Sequence, residues 1–524
     1  MGRQASLLLV SCGVGVGNAG AAAVNNASTT TSSSTDYSDF VLLEDANTYW
    51  LLFGMSNVFF MQAGFAMLEA GSVYEASVGH VLLKNIFDTS ISAVLWWACG
   101  HAFAYGTDAF GETGENGFIG GSGFFYENLG SKDNPLTGTT FARTHGKAFW
   151  QFQWAFASVS ATIVSGAVAG RCQLVAYICY VVFLTALVYP VVAHMAWSDD
   201  GRFSPYRSRR LVGGCGVVDV AGSGVVHVTG GVAALVINLP IFLHARHARF
   251  KEKNDPDEFL GPGASGATFR VLGALILWYG WFAFNGVSTI FLAGNGALAA
   301  HAIMNTTLSA ATCCLATSAI AALHASITDT HEFFGSWRRG YNVCTDVLPY
   351  DTFYPVNGIL AGLVAVTAGC AVISTWGAVL VGTSAAFVYY ASSRLLNYLK
   401  IDDVVDAFPV HGATGIWGVL APGLFGTEYY YKLAIDPNDA RRAKRCQGIF
   451  YGGTGASLGA SVLYLLAVIA WTSAVIFLVF FFLKSNDLIT GEELPETAED
   501  NHVELRTPTR DDDYDDDEAT QPIH

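Results

Sequence analysis

Charged side chains are scarce in this chain: Asp, Glu, Lys and Arg make up 13% of its 524 residues, about half the share found in ordinary soluble proteins. That deficit argues against a soluble domain. Positive charge is scarcer still, with 27 Lys and Arg against 43 Asp and Glu and a formal net charge of −16, so there is no basic footprint for nucleic acid. Ten cysteines are scattered without a C-x-x-C pair or a His at metal-ligand spacing. Most read as small core residues, and no disulfide framework follows from their spacing.

What the chain has instead is apolar length. Residues of the apolar class make up 52%, and they gather into eleven stretches near 47–71, 80–105, 147–170, 173–196, 216–241, 269–292, 296–324, 355–373, 375–396, 409–426 and 457–483. A bilayer core needs about 20 such residues per helix. The weakest of these is 80–105, which contains Lys84 and Asp88. Many are rich in Gly and Ala, as in GVVDVAGSGVVHVTGGVAALV (216–236), and small residues let membrane helices approach closely. The expectation is an all-α polytopic membrane protein, a packed bundle with a leader over 1–45, a transmembrane domain over 46–484 and a tail over 485–524.

The ends differ from the body. Arg3, the apolar run 5–17 and Ala19-Gly20-Ala21 form a signal-like leader, although Met1-Gly2 through Ser6 also fits a myristoylation pattern. Asn26-Ala27-Ser28 is a glycan acceptor if external. The segment from Asn486 onward carries −12 of the −16, so the body is nearly neutral and the tail is a solvated acidic extension. With the N-terminus outside, 14 Lys and Arg fall on the cytoplasmic side and 13 outside, so the positive-inside rule does not set the topology. The basic 242–254 loop is a local cytoplasmic signal, and eleven spans place the C-terminus in the cytoplasm.

A repeat points at the centre of the bundle. DVAGSGVVH (219–227) and DVVDAFPVH (403–411) share Asp, Val, Val and His at matching places, and Gly231 and Gly415 follow. Every pair is 184 residues apart, as two inverted five-helix repeats plus a C-terminal helix would give. Eight residues of helix rise about 12 Å, so an Asp at each helix entrance puts His227 and His411 near mid-membrane. A polar side chain there is a site by default. A histidine pair can accept, donate and share a proton near ambient pH, which suits a protonatable cargo. A metal enzyme is the rival, and the absence of a third ligand in the sequence argues against it. Asp219 and Asp403 read as helix caps, or as carboxylates favouring cations at a pore mouth.

These residues resemble the ammonium transporter (Amt/Mep/Rh) family. DVAGSGVVHVTGG (219–231), DAFPVHGATGIWG (406–418), WFAFNGVS (281–288) and FMQAGFAMLEAGSV (60–73) each look like a segment of that family, in family order. The resemblance implies an external ammonium-recruiting site of Phe156, Trp197 and Ser288, a gate of Phe156 and Phe284, and pore histidines His227 and His411. It gives Asp219, with Asp403 as its repeat partner, a structural or cation-stabilising role. It implies transport of ammonium or ammonia with methylammonium as analogue, no enzymatic activity, no cofactor, a multi-pass place in the lipid bilayer of the plasma membrane, and a homotrimer. The aromatic site and the insertion SDDGRFSPYRSRR (198–210) resemble the plant-type Amt branch. The tail departs from the family pattern, which puts regulation between subunits through it in question. A sensor that binds ammonium with little conduction is the alternative, and no signalling domain follows residue 483.

Overall fold

The computed structural model describes residues 34–73, 75–109, 116–127, 146–207, 210–243, 264–328 and 352–489. The leader signals before residue 34, most of the basic 242–254 loop and the acidic block of the tail lie outside the described residues. Among the described residues there is no strand, only three isolated bridges.

The helices are α1 (Ser34–Ala70), α2 (75–105), α3 (Gly146–Ala167), α4 (Leu174–Trp197), α5 (Ser223–Ile237), α6 (Ala264–Gly286), α7 (Gly296–Thr328), α8 (Phe353–Thr367), α9 (Thr375–Tyr398), α10 (408–425), two short helices α11 (Glu428–Ala434) and α12 (Ala440–Cys446), and α13 (Ala456–Ser485). Six of them, α1, α4, α6, α7, α9 and α13, contain a stretch long and apolar enough to cross a membrane. The helix α5 has 15 residues, a rise of about 22 Å, shorter by itself than a bilayer core of about 30 Å. Large apolar side chains such as Ile86, Leu275, Leu315, Phe387 and Leu478 lie exposed on the outer surface, where lipid rather than water is the compatible neighbour.

The stretch with charges in its middle is a continuous helix. Lys84 and Asp88 of α2 are buried because each turns inward to a partner. Lys84 Nζ donates to the Cys172 carbonyl at 2.5 Å, and Asp88 accepts from the Tyr177 hydroxyl at 3.0 Å. The helix α1 begins at Ser34, inside the stretch the sequence reads as leader.

One reading of the cysteines is corrected. Cys215 and Cys446 are joined in a disulfide, which ties the 198–218 segment after α4 to α12. Arg442 of α12 reinforces it, donating to the Pro205 carbonyl at 2.5 Å and pairing with Asp436. The partners are 231 residues apart, so no local spacing announces them, and only the return of the chain to the same face brings them together.

The two helices of the centre, α5 and α10, start in the same way. An irregular segment ends on a capping Asp, then a wide turn with i→i+5 hydrogen bonds, 223–228 in α5 and 408–413 in α10, carries the histidine. Such wide turns gather at functional sites. The two helices cross where a side chain cannot fit: a Cβ on Gly231 would lie 2.2 Å from the Gly412 nitrogen.

Candidate functional site

The site is built from its caps inward. The Asp219 carboxylate accepts hydrogen bonds from the backbone N–H groups of Gly222, Gly224 and Val225 at 3.1, 2.9 and 2.9 Å, satisfying donors that a helix start leaves without partners. Gly222 makes the turn possible with φ of 99°, a backbone region that favours glycine. Asp403 does the same for α10, accepting from Ala407 and Phe408 at 2.8 and 2.7 Å. Asp219 also holds Trp197: its backbone carbonyl accepts from Trp197 Nε1 at 2.7 Å.

From Trp197 a column of rings runs inward. Phe156 meets Trp197 edge-on with centroids 6.0 Å apart and stacks on Phe284 at 4.0 Å. Phe284 lies 5.6 Å from His227, and His227 lies 5.2 Å from His411. Phe65 follows, 6.3 Å beyond His411. Phe156 and Phe284 are fully buried, so the stack is closed to solvent and apolar. Ser288 sits a turn beyond Phe284 and donates its hydroxyl proton to the Phe284 carbonyl at 2.7 Å. That bond leaves its oxygen lone pairs for an incoming donor.

The histidines meet through their Nδ1 atoms, 3.2 Å apart. Only one of two neutral rings can donate across that gap, so one ring carries its proton on Nδ1 and the other on Nε2. The pair therefore offers one Nε2 that donates and one that accepts. His227 Nε2 is buried without a protein partner, a position that costs about 1–3 kcal/mol unless another molecule supplies a hydrogen bond.

Two ring residues of the site escaped the sequence reading. Trp281 stacks on His227 at 5.1 Å and is fixed by donating from Nε1 to the Thr367 hydroxyl at 2.9 Å. Its signal was present, since it precedes Phe284 by three residues and three-residue spacing shares a helix face. Phe65 stands on α1 within the quoted FMQAGFAMLEAGSV, but nothing in a single span says which of its Phe residues faces inward. Among the described residues no three His, Cys, Asp or Glu side chains converge in a metal-holding group.

Outside the bundle, Asp199 follows Trp197 in the tied segment. Burial, with the Asp200 charge beside it, pushes its carboxyl up to about 6.

The sequence pattern described as Ammonium Transporter Family matches residues 49–332 and 345–504, the second part running past the end of α13. Among curated proteins, Ammonium transporter 1 member 3 of Solanum lycopersicum is 34% identical over 84% of this chain and 88% of its own. Ammonium transporter 1 member 1 of Oryza sativa subsp. japonica is 37% identical over 82% of this chain and 79% of its own. Among solved structures, one titled Sensor Amt Protein superposes with a TM-score of 0.66 at 26% identity, covering 86% of this chain and 96% of that one. The Mep2 structure of Saccharomyces cerevisiae, at 23% identity and a TM-score of 0.66 over 87% and 90%, shares the fold. With its sequence matched along most of its length and its fold matched by Amt and Mep structures, the chain belongs to the ammonium transporter family.

Proposed function

We propose that this protein carries ammonium across a membrane by recruiting the cation at Trp197, Phe156 and Ser288, removing a proton, and passing ammonia between Phe156 and Phe284 to His227 and His411. The observation that carries the reading is the unbroken column of rings from Trp197 to His411, which ends in a histidine pair with a buried unpartnered Nε2. An aromatic face attracts a cation, and the Ser288 oxygen accepts from it. Potassium, of similar size to ammonium, has no proton to give up and would cross a dry constriction as a bare ion at large desolvation cost. Ammonia, once neutral, pays little, and finds both a donor and an acceptor at the histidines. Asp219 and Asp403 act through the caps that set the two histidines at one depth, and Asp219 adds negative charge behind the mouth.

The same reading covers the rest of the assembly. Eleven crossings in two inverted five-helix halves and a last helix fit the order α1 to α10 and α13 over residues 46–484. The face with Trp197 is the external one, supported by the Cys215–Cys446 disulfide beside it, since disulfides persist in oxidising compartments. The N-terminus is then outside and the tail from 485 cytoplasmic, in the plasma membrane, with a homotrimer carried over from the family resemblance. The names of the curated relatives, ammonium transporters of tomato and rice, favour transport over the sensor alternative. The test is expression in cells lacking ammonium uptake. Growth on low ammonium and uptake of labelled methylammonium are expected, and a folded, surface-located protein without flux would favour the sensor.

A further inference from the structure

Beyond the histidine pair the structure contains a small cavity, about 10 Å³ to the centre of a water-sized sphere, room for about one water. Its wall includes His411, Phe65, Thr162, Val405, Val410 and Glu69. Glu69 is the one carboxylate in that wall. It lies in the last turn of α1 with 1% of its surface exposed. Its Oε2 is engaged, accepting from Asn85 Nδ2 at 3.0 Å and the Ser165 hydroxyl at 2.9 Å. Its Oε1 is buried with no hydrogen-bond partner in the protein. Gly166 also lines the cavity: a Cβ there would meet Val405 Cγ2 at 2.6 Å and come into contact with Oε1 at 3.6 Å. Lys84 and Asp88 of α2 lie near enough to act on Glu69 electrostatically, but both have turned to other partners, the Cys172 carbonyl and Tyr177.

A buried carboxylate is costly inside a membrane protein and marks a functional position. One oxygen of this group is held by neutral donors, the other has no partner in the protein, and the residue lines a water-sized space shared with His411. We infer that Glu69 is the proton acceptor at the inner end of the histidine pair, linked to His411 through one water in this cavity. The inference rests on the transport reading above and concerns the fate of the proton removed at the mouth.

The step balances as a proton transfer without electron exchange. With Nδ1 of His411 engaged by His227, Nε2 is the ring atom left to exchange a proton. When the ring is an imidazolium, its Nε2–H bond breaks, the proton passes through the water, and an O–H bond forms on Glu69 Oε1. The ring becomes neutral imidazole and the carboxylate becomes a carboxyl. The carboxyl then gives its proton to ammonia leaving the inner end, which departs as ammonium and restores the carboxylate. Asn85 and Ser165 hold the group in place through the cycle without competing for Oε1.

The test uses the full chain reconstituted in phosphatidylcholine–phosphatidylglycerol liposomes, with current after an ammonium jump measured on a supported membrane beside uptake of labelled methylammonium. Wild type gives both. Glu69→Gln keeps the shape and the contacts to Asn85 and Ser165, and is expected to lower the charge moved per transported molecule by at least about tenfold, the scale of a lost proton-transfer group, with uptake kept within about twofold. Glu69→Asp, which keeps a carboxyl, is expected to give an intermediate ratio. A Glu69→Gln protein with the wild-type ratio overturns the inference, and so does one that loses current and uptake in equal measure, which would make Glu69 a support for the pore. If Glu69→Gln does not assemble, a wild-type ratio in Glu69→Asp overturns it. Uptake by wild type without charge movement removes the relay and leaves transport standing, whereas wild type without uptake removes the transport reading itself.

Discussion

His227 and His411, 184 residues apart in the chain, approach with their Nδ1 atoms 3.2 Å from each other and their rings inclined by 18°. One hydrogen bond between two neutral rings fixes complementary tautomers, so neither histidine can be replaced without changing what the other presents. His227→Ala opens a hole beside Trp281 and Phe284 and leaves His411 Nδ1 without its partner. The expected outcome is loss of discrimination between ammonium and potassium, or loss of flux, by at least about tenfold. Labelled methylammonium uptake with and without competing potassium measures it, and selective wild-type uptake in this variant would remove the mechanism.

Asp219 offers a way to separate support from chemistry. Asp219→Ala strips acceptors from three backbone donors at the start of α5, a loss of about 2–4 kcal/mol when a cap and buried partners go together. Asp219→Asn keeps one oxygen for those donors and removes the charge. Thermal unfolding in detergent is expected to rank wild type above Asp219→Asn above Asp219→Ala. An Asn variant that folds as wild type yet fails to take up methylammonium would assign the carboxylate a direct part in handling the cation.

The disulfide gives a stability prediction with an internal control. Cys215 and Cys446 close a loop of 231 residues, and loss of a native disulfide typically costs about 2–5 kcal/mol. Reductant should lower the unfolding temperature of the wild type and leave the Cys215→Ser/Cys446→Ser double variant unmoved. Equal shifts in both proteins would show that the cross-link carries no stability.

Asp199 predicts a pH dependence with a definite sign. Its carboxyl sits at about 6 in the folded protein against about 3.9 in an unfolded chain. The folded state therefore holds the proton more tightly, and the stability this confers is complete below about pH 3.9 and lost as pH rises through about 6. Asp199→Asn, which cannot ionise, should raise the unfolding temperature relative to wild type at pH 8 and leave it nearly unchanged at pH 4. A difference of the same size at both pH values would contradict it.

The apolar stretches, six of which hold a helix long and apolar enough to cross a membrane among the described residues, could be read because hydrophobic length is a local property of the chain. The duplicated DV…VH pattern was equally local within each copy, and it named both histidines and both capping aspartates. Three features were not legible. Lys84 and Asp88 weakened the reading of their helix because composition does not say that a charge will find Cys172 or Tyr177 inside the bundle. Cys215 and Cys446 carry no spacing signal. Glu69 stands in a quoted segment, but its role depends on which of its two oxygens is satisfied, and sequence is silent on that.

What the sequence determined by itself was the class of molecule and the pair of histidines at its centre, because low charge, apolar length and a repeated cap-to-histidine spacing are written along the chain and act at short range. What only the tertiary structure decided was how residues from different helices meet. The Phe156–Phe284 stack joins α3 to α6, and the pairing of His227 with His411 requires Gly231 to let α5 lie against α10. The cavity facing Glu69 is bounded by α1, α3, α8 and α10 with the short segment before α10. Those contacts follow from packing, where a gap of one methyl group separates contact from clash, and no run of residues along one chain segment encodes them.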